Sequence, residues 1–238
     1  MRLDKMLSDC QVASRRELKL ILKRGEVTVN GEVIKNGAVH ISPETDEVWY
    51  KSRKVVYEKY IYLMMNKPSG VISATEDRYQ KTVLDIIPEE FSGYGLFPAG
   101  RLDIDTEGML ILTNDGDTAH KMLSPKKHVE KEYYARVEGK LTDDDVSSFE
   151  NGLDLGDFTS LPSKLCIVSS GDISEAKITI CEGKFHQVKR MFEKVGKTVV
   201  YLKRIRMGSL YLDDTLSLGE CRKLTNEEIT KLLKNQNL

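Results

Sequence analysis

A chain of 238 residues holds one large domain or two modest ones and can bury a core without disulfide or metal staples. Its composition, 40% hydrophobic and 31% charged, excludes a collagenous, low-complexity or wholly disordered chain. No apolar run approaches the ~18 residues of a spanning helix, and a net charge of -1 argues against a simple nucleic-acid coat.

The charge is nevertheless unevenly spread. Residues 1–25 carry seven Lys/Arg against three Asp/Glu, and residues 184–206 carry eight against one, on an otherwise acidic body. Two basic islands point to localised contact with a polyanion, although a charge run is also what a solvated face looks like. Met1-Arg2-Leu3-Asp4-Lys5 has no apolar core of a signal peptide, and no membrane association is expected. Cys10, Cys166, Cys181 and Cys221 are scattered, with no C-x-x-C pair. Neither disulfides nor a metal site is expected, and a reducing cytoplasm fits best.

Leu3, Met6 and Leu7 are spaced as the apolar face of a short helix. Ser14-Arg15-Arg16-Glu17 reads as a capping box opening a second helix, which runs to about Arg24 with Leu18, Ile21 and Leu22 facing inward and Gly25 ending it. Val27 and Val29 alternate as a strand, and Asn30-Gly31 predicts a hairpin turn. Arg15, Lys19 and Lys23 fall on one helical stripe, an arrangement able to meet successive phosphates of an RNA backbone. The strings Arg-Leu-Asp-Lys at 2–5, Ser-Arg-Arg at 14–16, Lys-Arg-Gly at 23–25 and Val-Asn-Gly at 29–31 resemble the S4 RNA-binding domain over residues 1–48. The resemblance implies RNA contacts through Arg2, Ser14, Arg15, Arg16, Lys19, Lys23 and Arg24. Lys51–Lys59 reads as a charged linker, so the domains are drawn at 1–55 and 56–238, with Tyr60–Met65 beginning a new strand.

Further on, Gly100-Arg101-Leu102-Asp103-Ile104-Asp105-Thr106-Glu107-Gly108 precedes the apolar run Met109–Leu112, a buried strand, and Asn114-Asp115-Gly116 turns the chain after it. An acidic loop held beside a rigid strand is a common place for a site. Asp103 and Asp105 could be imagined as a glycosidase pair, but no distant second acid stands out. A lone loop Asp is more often a cap.

Read whole, the string resembles the catalytic motif of pseudouridine synthases, in the branch that carries an S4 domain. Four further motifs follow the same family: Asn66-Lys67-Pro68-Ser69-Gly70; Lys131-Glu132-Tyr133; Glu182 to Phe192; and Arg204-Ile205-Arg206-Met207-Gly208 with Leu218 to Arg222. In the third of these, Val188, Met191, Phe192 and Val195 form the inward helix face and leave Lys189, Arg190 and Lys194 polar-facing. The resemblance implies an α+β fold: a small S4-like αβ module, then a synthase domain with a mixed, mainly antiparallel sheet flanked by helices.

It also implies roles. Asp103 is the essential carboxylate, acting on the ribose by addition at C1′, by aiding loss of the 2′ proton, or on C6 of the base. Lys189 is its basic partner, where many relatives have Arg, so a point charge replaces a bidentate fork. Tyr133 lies against the base and Ile180 packs beneath it, although each would also suit a plain strand core. Arg101 fills the stack after the uridine flips out, or forms a structural ion pair. Lys184 and Arg190 contact RNA. His186 packs or touches RNA and is not read as a base, and His40, His120 and His128 look like surface or turn residues. No cofactor is implied, and no G-x-G-x-x-G or P-loop string occurs.

Within the branch, residues 99–106 and 186–192 look most like the members that act on 16S ribosomal RNA. The expected partner is therefore 16S rRNA, free or in a small-subunit assembly intermediate, and the expected state is a monomer. A 23S target is the runner-up. A non-catalytic ribosome-assembly factor is the competing class, disfavoured because a binder needs no Asp103, Tyr133 and Lys189 together. Thr225 and Glu228 box the start of a final helix with Ile229, Leu232 and Leu233 as its apolar face.

Overall fold

The computed structural model describes residues 1–124 and 127–234, the side chains of Leu233 and Lys234 excepted. It divides into two compact units: Met1–Ile61 with Pro88–Leu96, and Tyr62–Ile87 with the chain from Phe97 on.

In the first unit, α1 (Leu3–Asp9) and α2 (Arg15–Lys23) pack on a small sheet of β1 (Val27–Val29), β2 (Glu32–Val33), β3 (Val48–Tyr50) and β4 (Arg53–Val55), in the order β2-β1-β3-β4. The capping box is complete: Ser14 Oγ accepts from the Glu17 amide while the Glu17 carboxylate takes the Ser14 amide and hydroxyl. Leu3, Met6, Leu7, Leu18, Ile21 and Leu22 are all buried in one core with Val27 and Val29. Each fully buried aliphatic side chain stabilises by ~1.5–3 kcal/mol, which outweighs the modest propensity of such short helices. Asn30 (φ 52°) and Gly31 (φ 85°) make the tight hairpin between β1 and β2.

The segment 51–59, read as a linker, is in part structural. β4 pairs with β3 and buries Val55, Cys10 Sγ donates to the Val56 carbonyl at 3.5 Å, and Tyr57 packs on the same core. Packing therefore runs past a division at 55/56. The sequence hid it because two of the three β4 residues are exposed and charged.

The second unit contains β5 (Tyr62–Lys67), β6 (Phe97–Ala99), β7 (Glu107–Thr113), α3 (Gly116–Leu123), β8 (Lys131–Glu138), α4 (Asp143–Asn151), β9 (Lys164–Ser169), β10 (Ile173–Ile180), α5 (Gln187–Lys194), β11 (Thr198–Met207), β12 (Leu210–Tyr211), β13 (Cys221–Lys223) and α6 (Asn226–Lys234). Nine strands form one sheet along the path β13-β5-β7-β11-β8-β10-β9, with β6 on β7 and β12 on β11. Every pairing is antiparallel except β7 with β11. That pairing brings the start of β7 beside the middle of β11, so the loop before β7 emerges at the centre of the sheet. At the seam Gly108 (φ +101°) lies so close to β11 that a Cβ would meet the Arg204 carbonyl oxygen at 2.2 Å. Only glycine fits there.

Both faces of β5 are buried, which explains its unbroken apolar run. Asp115 does more than turn the chain: it caps α3 by accepting from the Thr118 amide and hydroxyl, and it accepts from the Tyr62 hydroxyl at 2.5 Å. Val188, Met191 and Phe192 are buried on α5, whereas Val195, at its C-cap, is half-buried. In α6, Leu232 is buried and Ile229 packs on the core; Leu233 lies outside the described side chains.

Candidate active site

Asp103 sits on the loop that feeds β7, and the loop is fixed from below. Lys67, at the end of β5 and fully buried, places its Nζ 2.9–3.2 Å from the carbonyls of Pro68, Asp103, Ile104 and Thr106. Ser73 Oγ donates to the Leu102 carbonyl and accepts from the Leu102 amide, both at 3.0 Å. Burial brings the Lys67 ammonium down to about 8, against the opposing pull of Asp105, Asp103 and Glu107. A buried cation is tolerated here because carbonyl dipoles replace water around it.

Above the loop, α5 presents Lys189. Its Nζ donates to both oxygens of Asp105, at 2.6 and 2.8 Å, and lies 3.6 Å from Asp103 Oδ2. The ammonium thus serves two carboxylates and is bonded to the one that was not its expected partner. Residues two apart on one loop both reach a point charge, and Asp105 approaches closer. Burial works to raise the Asp105 carboxyl, but the Lys189 hydrogen bond and charge outweigh it and hold it below the ordinary range.

His186, just before α5, is the neighbour that the sequence reading missed. It adopts a left-handed conformation (φ 48°), its Nε2 lies 3.7 Å from Asp103 Oδ1, and its ring stacks on exposed Phe185 at 3.8 Å. Such a backbone is uncommon outside glycine, although His visits it more than most. The strain marks a turn that has to be made at this spot.

Beside Asp103 opens a cavity of about 330 Å³, lined among others by Arg101, Lys131, Tyr133, Ile180 and Arg204. The volume suits one nucleoside-sized group. Tyr133 and Ile180 are both buried, Tyr133 on β8 and Ile180 at the end of β10. Tyr134 points to the opposite face and meets Tyr201 edge-on. Arg101 is exposed at the mouth and makes no ion pair among the described residues.

The other expected contacts are dispersed. Lys184 lines the cavity, 3.6 Å from Glu182 and over the Phe158 ring. Arg190 is drawn away to Asp157 and to the Leu155 carbonyl. In the first unit Arg15, Arg16, Lys19, Lys23 and Arg24 are exposed, Arg2 is paired with Asp4 at 2.5 Å, and the Ser14 hydroxyl is used by its cap.

The geometry is a carboxylate beside a nucleoside-sized cavity, with an aromatic and an aliphatic wall. The model of the RNA pseudouridylate synthase family matches residues 61–194, and that of the S4 domain matches residues 1–48. The chain belongs to the RNA pseudouridine synthase family. It is 46% identical to an uncharacterised RNA pseudouridine synthase of Bacillus subtilis (strain 168), over 99% of this chain and 100% of that protein. It is 41% identical to the ribosomal small subunit pseudouridine synthase A of Yersinia pestis, over 98% of both chains. The Escherichia coli (strain K12) protein of the same name is 37% identical over 98% of this chain and 100% of its own. A crystal structure of a pseudouridylate synthase, 36% identical, superposes with a TM-score of 0.68, covering 98% of this chain and 99% of that one. This synthase is thus an RNA-modifying isomerase that carries an S4 RNA-binding domain.

Proposed function

We propose that the synthase converts a uridine of 16S ribosomal RNA to pseudouridine, with Asp103 as the nucleophile. The observation that carries this reading is the full-length similarity to proteins named ribosomal small subunit pseudouridine synthase A, joined to Asp103 at the cavity wall. The uridine leaves the RNA stack, because neither C1′ nor C5 is reachable while stacked. Arg101, at the mouth and free of ion pairs, fills the gap. Tyr133 and Ile180 hold the flat base. The Asp103 carboxylate adds to C1′ as the C1′–N1 bond breaks, the base turns, and C5 takes the place of the carboxylate. Lys189, bonded to Asp105 and 3.6 Å from Asp103, supplies positive charge beside both carboxylates and holds the Asp105 carboxyl below its ordinary range. Exposed cations of α2 hold the RNA from the first unit.

The test is tritium release from 16S and 23S rRNA labelled at uridine C5, with Asp103→Asn as control. Release from 16S by the wild type alone is expected, with RNA binding by Asp103→Asn kept. Release from 23S only would overturn the target, and full activity in Asp103→Asn would overturn the nucleophile.

A further inference from the structure

Two buried cations under the cavity have no role in the chemistry described so far. Arg204 is 2% exposed and Lys131 is 6% exposed, and both line the cavity that Asp103 borders. Arg204 Nε donates to the Met109 carbonyl at 2.7 Å, but its Nη2 is buried with no hydrogen-bond partner among the described residues. An orphaned guanidinium nitrogen is costly, since it gives up water and gains nothing. Among the described residues Lys131 Nζ bonds the Val129 carbonyl alone, at 2.8 Å, and so keeps further N–H groups to give. Burial, and then the charge of Arg204, bring Lys131 down to about 8, against Cys181 and Glu182, which pull the other way.

The sheet aims both groups deliberately. Residues 204 and 206 of a regular strand share a face, yet β11 slips register between them, so that Arg204 stands opposite Tyr133 and Arg206 opposite Glu132. Arg206 therefore turns to Glu130 and Glu132 on the far face, at 2.9 and 2.8 Å. Arg204 is left on the cavity face with Tyr133, Lys131 and Ile180, the last directly opposite Lys131. Among the described residues, four cationic side chains line the cavity against the single carboxylate of Asp103. Arg101 and Lys184 serve the RNA, and a site for a neutral base alone has no need of the two that remain. A base that becomes anionic during the reaction does.

We propose that Arg204 and Lys131 are catalytic residues that bind the carbonyl oxygens of the flipped uracil and hold the negative charge it acquires during isomerisation. The proposal rests on the isomerase reading above. When C1′–N1 breaks, its electron pair stays on the base, which becomes a uracil anion with charge shared among N1, the two carbonyl oxygens and C5. That pair then forms C5–C1′ and displaces the carboxylate; the C5 proton passes to water, and N1 takes one proton from water. No oxidant or reductant is needed. If Asp103 instead takes the 2′ proton, the same anion departs; if it adds to C6, the charge gathers on C5 and the C4 oxygen, where a donor of this pair still serves. Donors already fixed where charge develops stabilise a transition state without reorganising.

Two measurements test this. Lys131→Met, nearly isosteric, is expected to slow single-turnover tritium release about 100-fold at saturating enzyme, with RNA affinity unchanged; Arg204→Lys is expected to slow it about 10-fold. The second measurement needs no turnover: calorimetric binding of uracil and of 5-nitrouracil, whose ring is deprotonated at neutral pH. The wild type is expected to prefer the anion by about 10-fold or more, and Lys131→Met to lose that preference. Undiminished release by both variants, or no wild-type preference for the anion, overturns the proposal. If Lys131→Met does not fold, Arg204→Lys and the wild-type preference still decide it. Absence of wild-type release from either rRNA would strike the target reading instead and leave the base-binding comparison to judge this one.

Discussion

On α2 of the first unit, Arg15, Lys19 and Lys23 stand in solvent on one stripe, whereas Lys67, Lys131 and Arg204 of the second unit have been withdrawn from water almost completely. The same residue types work by different physics in the two places. A solvated cation is held by nothing, is screened by salt, and contributes to RNA affinity through counterion release. A buried cation has to be matched donor for acceptor, so it fixes geometry at ångström scale: Lys67 gathers three carbonyls of the Asp103 loop and that of Pro68, and Arg204 has one carbonyl and one open nitrogen. The first arrangement tolerates substitution and the second does not.

The sharpest break of this comparison is Lys67→Met. It leaves the loop carbonyls without their donor, and breaking a buried charged network of this kind costs about 3 kcal/mol or more. Denaturant unfolding is expected to show that loss, with tritium release falling below detection.

Activity is next. Because the folded-state value of Lys67 lies at about 8, below its ordinary 10.5, the ammonium clamp is present at neutral pH and is lost as pH rises through about 8. The single-turnover rate is expected to fall on that alkaline side, Lys131 adding to the same limb. The contribution of Lys67 to stability has the opposite sign. Between about 8 and 10.5 the unfolded chain binds more protons, so the wild-type advantage over Lys67→Met widens with rising pH.

Lys189→Met, which leaves Asp103 and Asp105 without their shared counter-charge, is expected to slow release about 100-fold, while Lys189→Arg keeps the rate within about 10-fold. A pH–rate profile of Lys189→Met with its acidic limb moved upward separates a charge effect from a packing defect.

The smallest effect belongs to the solvated stripe. Changing Arg15, Lys19 and Lys23 together to Gln is expected to weaken RNA binding and to lower the slope of log affinity against log salt by about 2–3, with the rate at saturating RNA unchanged. A fall in that rate would show that the stripe does more than hold RNA.

What could be read beforehand follows the same division. The capping box at Ser14, the Asn30-Gly31 hairpin and the apolar faces of α1, α2 and α5 rest on local rules, and each was legible. So was the loop of Asp103, whose residues are contiguous. Lys67, Arg204 and His186 were inside recognised strings, but what they do depends on partners far along the chain. Lys67 follows the apolar run Tyr62–Met65 and Asn66 in a wholly buried strand, a buried charge in an unlikely place, and that was the one available signal. The preference of Lys189 for Asp105 turns on ångström differences between neighbouring carboxylates. The slip in β11 that separates Arg204 from Arg206 leaves no trace in spacing.

The seam between β7 and β11 has a consequence for timing. Among the described strands, β11 alone joins the β13-β5-β7 side of the sheet to the β8-β10-β9 side. During synthesis Asp103, Lys67 and Tyr133 leave the ribosome long before β11 does, and the antiparallel β5–β7 and β8-β10-β9 groups can form without it. Until β11 arrives, those halves share no sheet, and the floor made by Arg204 does not exist. Joining distant segments in parallel is also slow, because loop closure must precede the contacts that reward it. The nascent chain is therefore expected to lack a complete cavity until β11 has been made, even while growing from an RNA-rich machine.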